Sequence, residues 1–127
     1  FPLQVGRIKN NEFVEEQRVT VPDFFKNFRG STNGVMINGN LCFITHLVTM
    51  INGRRQYYHC FVVMDKEKLQ PLDISLPFTF TRDNNIEYCL GLLYDQGNLI
   101  ISYSLNDSTS NILKVPLSEF KKRVYLN

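Results

Sequence analysis

Cysteine is scarce in this chain of 127 residues, with only Cys42, Cys60 and Cys89. An odd number at wide spacing, without a CxxC pair, argues against a disulfide framework and a structural zinc site. Each lies in an apolar strand-like pattern, where a free thiol behaves as a small buried hydrophobe, so a reducing, cytoplasmic setting is expected. No apolar run approaches the ~20 residues that cross a bilayer, and no charged region leads into an apolar signal core. Neither a membrane partner nor a secretion signal is therefore expected. An excess of one charge is lacking too: 14 basic residues stand against 12 acidic ones. Arg7, Lys26, Arg54, Lys66 and Lys121 are dispersed, and nucleic-acid binding needs a concentrated patch to neutralise phosphates. The one dense cluster, residues 121–123, reads as a solvated terminus. Metal-ligand spacing, a phosphate-cradling glycine loop, a nucleophile elbow and a dinucleotide fingerprint are all missing. No metal and no cofactor are expected.

What is present is apolar material sufficient for one core, 43% hydrophobic against 20% charged, in a length that suits one domain. It concentrates in residues 34–64, two long strand-like runs joined at Asn52-Gly53. Side chains alternate across a pleated strand. Leu41, Phe43, Thr45 and Leu47 therefore share one face, and Cys42, Ile44, His46 and Val48 the other. Tyr57, His59, Phe61 and Val63 alternate with Tyr58, Cys60, Val62 and Met64 in the same way. With both faces largely apolar, these strands belong inside a stack of sheets. Asn-Gly tolerates the positive φ of a type I′ turn and marks a hairpin, although Arg54, Arg55 and Gln56 allow a longer loop.

The flanking segments read as further strands. Residues 13–21 form an outer strand ended by Pro22, and residues 23–29 a single helical turn whose phenylalanines pin it to the core. Residues 69–80, interrupted by Pro71 and Pro77, must be an edge, because proline cannot donate to a ladder. After a loop at 82–85 come strands at 86–94, 98–105 and 111–115, then a short polar helix or irregular tail from Leu117. The fold class is all-β, a single region of antiparallel four-stranded meanders. Because the chain opens on Phe1 rather than Met, it is expected to be part of a longer polypeptide or a processed product.

Two segments look alike. Residues 34–45, GVMINGNLCFIT, match residues 91–102, GLLYDQGNLIIS, with one residue inserted in the turn. The offset is about the size of one four-stranded propeller blade, and the chain is read as blade-like units at about 34–80 and 86–116. In order, FRGSTNGV, a strand ending in His46, RRQYYHCFVVMD, LPFTF and IEYCLGLLYDQGNLIISYSLND resemble the later blades of five-bladed propellers. The family is that of the β-mannoside phosphorylases and hydrolases, and the resemblance is strongest to related propeller modules that accompany glycosyltransferases. It implies about two of the five blades, with the remainder in other sequence. It also implies a carbohydrate or glycan partner, inorganic phosphate as a second one, and a catalytic acid in a blade that this chain lacks.

In a propeller, ligands sit over the central channel, against inner strands and the loops that follow them. The polar candidates there are Arg29, Ser31, His46, Glu87, Tyr103 and Asp107, with His59 a weaker one. Arg29 in FRGS suits an anion or a sugar hydroxyl, and it equally suits a loop carbonyl. His46 and His59 are ligand contacts or satisfied strand histidines. Glu87 opens an inner strand, where an acid needs a partner or a ligand. Asp107 resembles the family's strand-closing acid and equally a turn aspartate. Tyr57, Tyr58, Tyr88 and Tyr103 can stack on sugar rings or fill a core. Three readings remain at this point: a carbohydrate-recognising propeller portion, part of a phosphorylase or glycosidase, and a structural or protein-binding β domain.

Overall fold

The computed structural model describes residues 2–83 and 86–125, so Asn84 and Asn85 of the expected 82–85 loop lie outside the described residues. Every sheet in it is antiparallel, and one helix is the only α-helical element described. Strands β1 (Leu3–Lys9) and β2 (Glu12–Val19) form a hairpin. Asn10 and Asn11 turn it at φ of 50° and 63°, the left-handed conformation that asparagine tolerates. A 3-10 turn at Asp23–Asn27 follows, with Phe24, Phe25 and Phe28 in mutual ring contact.

The first large sheet contains β3 (Arg29–Gly30), β4 (Val35–Ile37), β5 (Asn40–Ile51), β6 (Arg54–Met64) and β7 (Pro71–Ile74). Both β3 and β4 pair with the same edge of β5, and β6 and β7 follow in meander order. The β5–β6 loop has two residues, since Ile51 pairs with Arg54. Asn52 at φ 51° and Gly53 at φ 74° complete it. Arg54, Arg55 and Gln56 therefore do not extend the loop but open β6. The short β7 is the sheet's proline-bearing edge.

The second sheet is a three-stranded meander of β8 (Glu87–Asp95), β9 (Asn98–Leu105) and β10 (Thr109–Pro116). The described sheets thus have five and three strands rather than the four expected of each, because β3 and β4 share one edge of β5 and a helix follows β10 directly. Helix α1 (Leu117–Val124) closes the described chain, burying Phe120 and Val124 on one side with Glu119, Lys121, Lys122 and Arg123 elsewhere. The amphipathic spacing of Phe120 and Val124, four residues apart, makes the 117–124 segment a helix rather than an irregular tail. The paired turns at Asn38-Gly39 and Gln96-Gly97 have equal length, since Ile37 pairs with Asn40 and Asp95 with Asn98. The inserted residue is thus not in the turn. Alignment through the turns sets Gly34 against Leu92, and Gly91 falls where β8 shifts register after Cys89. A Cβ on Gly91 would come within 2.7 Å of the Ser102 hydroxyl oxygen.

Both faces of β5 and β6 are covered, for different reasons. One face meets the second sheet: Cys42, Ile44 and Phe61 join Cys89, Leu92, Leu99, Ile101, Phe120 and Val124 in one core. The other face supplies Val62 and Met64, which meet Val19 and Val21 under Leu3 and Phe25. Each fully buried Ile, Leu or Phe contributes about 1.5–3 kcal/mol of hydrophobic stabilisation relative to exposure. Alternation along β5 therefore builds a layered stack, and all three cysteines are buried free thiols within it. Among the described residues no helix is long and apolar enough to cross a membrane.

Candidate functional site

Strand register assembles the site. Arg29 pairs with His46, His46 with His59, and an isolated bridge joins His59 to Phe78. Directly opposed residues project to the same face of a sheet. Arg29, His46 and His59, separated by up to 30 residues in sequence, thus form one row across the first sheet, on the face that meets β8.

His46 is 7% exposed, and its Nδ1 is buried without a hydrogen-bond partner. Tyr57 lies near-parallel to its ring at 6.1 Å, and Tyr88 meets it edge-on at 5.3 Å. Burial, then the neighbouring His59 and Arg29, lowers its pKa from the ordinary imidazole value. Its neutral form is thereby favoured. Tyr57 is half-buried and Tyr88 is exposed, so the row reaches the surface beside two aromatic rings.

Its inner end is closed. His59 is fully buried between Phe78 and Phe80, and its Nε2 lies 3.4 Å from Glu87 Oε2. That distance permits electrostatic attraction, but the alignment is not that of a hydrogen bond, and Nδ1 has no partner. Glu87, 1% exposed, accepts the Phe80 N–H on Oε2 at 2.8 Å. Its Oε1 accepts the Thr81 N–H at 2.8 Å and the Thr81 hydroxyl at 2.7 Å. Burial raises the carboxyl pKa, but His59, the Phe80 N–H and both Thr81 donors outweigh it and leave it below the ordinary value. Glu87 is thus an ionised carboxylate committed to holding residues 80–81.

The other sequence candidates separate from the row by role. The Ser31 hydroxyl donates to the Cys89 carbonyl, which ties the β3–β4 connection to β8. Tyr103 stacks on Phe80 at 4.3 Å and 9°, inside the aromatic cluster around His59. Asp107, at φ 52°, occupies the turn between β9 and β10 and is exposed. Among the described residues no hydrogen bond or ion pair links Asp107 to Arg29, His46 or His59. Among the described residues, too, no cluster of three metal-ligating side chains occurs.

Asn33 escaped the sequence reading. Its Nδ2 donates to the Leu92 carbonyl at 2.9 Å and its Oδ1 accepts the Leu92 N–H at 3.1 Å, clipping the sheets together. An asparagine beside Gly34 signals a turn in sequence, and nothing local reveals a partner 59 residues away. Beside Arg29, a cleft of about 410 Å³ is lined by Lys26, Asn27, Leu47, Val48 and Thr49. A groove of about 440 Å³ between residues 78–80, β10 and α1 is walled by Phe78, Phe80 and Phe120 and has no imidazole or carboxylate in its lining. The chain matches no family model, no curated protein and no solved structure.

Proposed function

We propose that this chain is a carbohydrate-recognising portion of a five-bladed β-propeller, from a glycan-processing or glycosyltransferase-associated protein. Its two large sheets are read as consecutive blades, stacked face to face, and the surface at Tyr57 and Tyr88 beside His46 as the sugar site. The observation that carries the reading is the ring contact of Tyr57 and Tyr88, both reaching the surface, with His46, whose Nδ1 has no hydrogen-bond partner and which pairs in register with Arg29. Partly exposed aromatic faces stack on the apolar faces of sugar rings, and a few fixed polar groups orient the hydroxyls. Recognition is favoured over bond cleavage because Glu87, the acid that lies 3.4 Å from His59 of the row, is fully engaged by backbone and Thr81 donors. Glycoside cleavage needs a carboxyl group free to deliver a proton. A phosphorylase or glycosidase parent would have to supply that acid from elsewhere.

Calorimetry of the chain with neutral oligomannosides and a panel of other neutral oligosaccharides tests the reading. Binding of at least one member is expected, with loss of about tenfold in affinity in Tyr88→Ala and in His46→Gln, both with unchanged far-UV circular dichroism. Binding that is unaffected by either substitution would remove the site assignment.

A further inference from the structure

Two lengths of main chain line the groove between residues 78–80, β10 and α1 with hydrogen-bonding groups unused. Strand β10 is an edge of its sheet, paired only with β9. The Leu117 N–H donates to the Gly97 carbonyl at 2.9 Å, continuing the register in which Val115 opposes Leu99 and Leu113 opposes Ile101. Hydrogen-bonded and non-hydrogen-bonded pairs alternate along an antiparallel ladder. Leu113 and Val115 therefore bond to β9, and the N–H and C=O of Lys114 between them point off the free edge. Pro116, which has no N–H to give, falls in the same outward set. Across the groove, both main-chain groups of Phe78 are taken by His59, so those of Thr79 point away from β6. Among the described residues no hydrogen bond outside the ladders reaches the main chain of Lys114 or Thr79.

Both residues line the groove, whose volume is about 440 Å³. Its walls are apolar, with Phe78, Phe80, Val115 and Phe120, and the charged residues in the described lining are Lys114 and Arg123. Both cations are exposed, and among the described residues neither has an ion-pair partner. Glu119, the nearby acid on α1, is paired with Lys122.

We propose that this groove docks an extended acidic segment of a partner protein, taken up as an added strand whose residues alternate between apolar and acidic. Main-chain bonds to a free edge supply affinity in strand addition, and alternate side chains supply specificity. A helix has spent its own main-chain groups and would leave the edge unmatched. A residue set opposite Lys114 exchanges both main-chain bonds with it and projects to the same face. An acidic side chain there meets the Lys114 ammonium group. Its two neighbours project to the other face, where Leu113 and Val115 pack on the core that contains Phe120, and apolar side chains fit there. Arg123 adds a second cation, so a basic segment is repelled.

Solution NMR of the full 127-residue chain, titrated with the acetylated and amidated peptides EVEVEVE, KVKVKVK and EEVVVEE, tests this. The second peptide reverses the charge, and the third breaks the alternation at constant composition. EVEVEVE is expected to bind about tenfold or more tighter than either. On its binding the Lys114 and Thr79 amides should exchange with solvent more slowly, while the Leu113 amide, already in the ladder, should not change. Lys114→Glu combined with Arg123→Glu, both at exposed positions, should reverse the order of EVEVEVE and KVKVKVK. Equal affinity for EEVVVEE or KVKVKVK, an order that persists in the double variant, or binding that leaves both amides unprotected overturns the proposal. So does the absence of EVEVEVE binding at about 1 mM. Protection of the Lys114 amide that rises with chain concentration in the absence of peptide assigns the edge to a second copy of the chain and overturns it as well. None of these readouts involves His46, Tyr57 or Tyr88, so the outcome is independent of the carbohydrate reading.

Discussion

Replacing Glu87 with Gln tests whether a buried carboxylate holds the junction between the two sheets. Gln preserves shape but substitutes an NH2 group for one acceptor oxygen. In one orientation the amide faces the Phe80 N–H, and in the other it faces the Thr81 N–H. Either way a buried donor meets a donor, and charge-assisted bonds worth about 1.5–3 kcal/mol each are lost or weakened. The net expectation is destabilisation of about 3–5 kcal/mol, the range for breaking a buried charged contact by removing one side. For a domain of this length that lowers the melting temperature by about 10–20 °C. Thermal unfolding followed by circular dichroism measures it. The pH dependence gives a second readout. Because the folded carboxyl pKa lies below its unfolded value of about 4.5, its contribution is full above pH ~4.5 and is lost as pH falls through the folded value. The variant should lack that acid-induced loss. A variant that melts within about 3 °C of the parent chain, with an unchanged acid limb, would refute the assigned role.

Two further outcomes follow from neighbouring geometry. Burial holds His46 neutral below its ordinary pKa of 6.5, with help from His59 and Arg29. Its contribution to stability is therefore full above pH ~6.5 and declines as pH falls through 6.5 toward the lower folded value. Melting temperatures from pH 7.5 to 5.5 should fall in the parent chain and fall less in His46→Phe, and equal slopes would contradict this. Asn33→Ala removes both bonds to Leu92 and should cost about 1–2 kcal/mol. By hydrogen exchange the Leu92 amide should lose protection more than the β5–β6 amides, and a uniform change would show that the clip has no local role.

The strands were legible because alternation is local. Apolar residues on both faces of 41–48 and 57–64 demanded coverage on both sides, and two separate cores provide it. Glu87 was legible as an acid needing a partner in an apolar strand. Its partners were not, since the Phe80 and Thr81 N–H groups carry no side-chain signature and Thr81 looks like loop. The dispersal of basic residues in sequence excluded a charged patch, yet strand pairing brings Arg29 and Arg55 onto the face of His46.

The sequence by itself determined the strand-rich class, the Asn-Gly hairpin and the apolar stack, because these depend on side-chain period and on which residues accept positive φ. Only the tertiary structure decided which polar groups meet. Register set Arg29, His46 and His59 in one row, and sheet packing brought Glu87 to His59 and Tyr88 to His46. Such contacts join residues tens of positions apart, and their geometry exists only once both sheets have formed and packed.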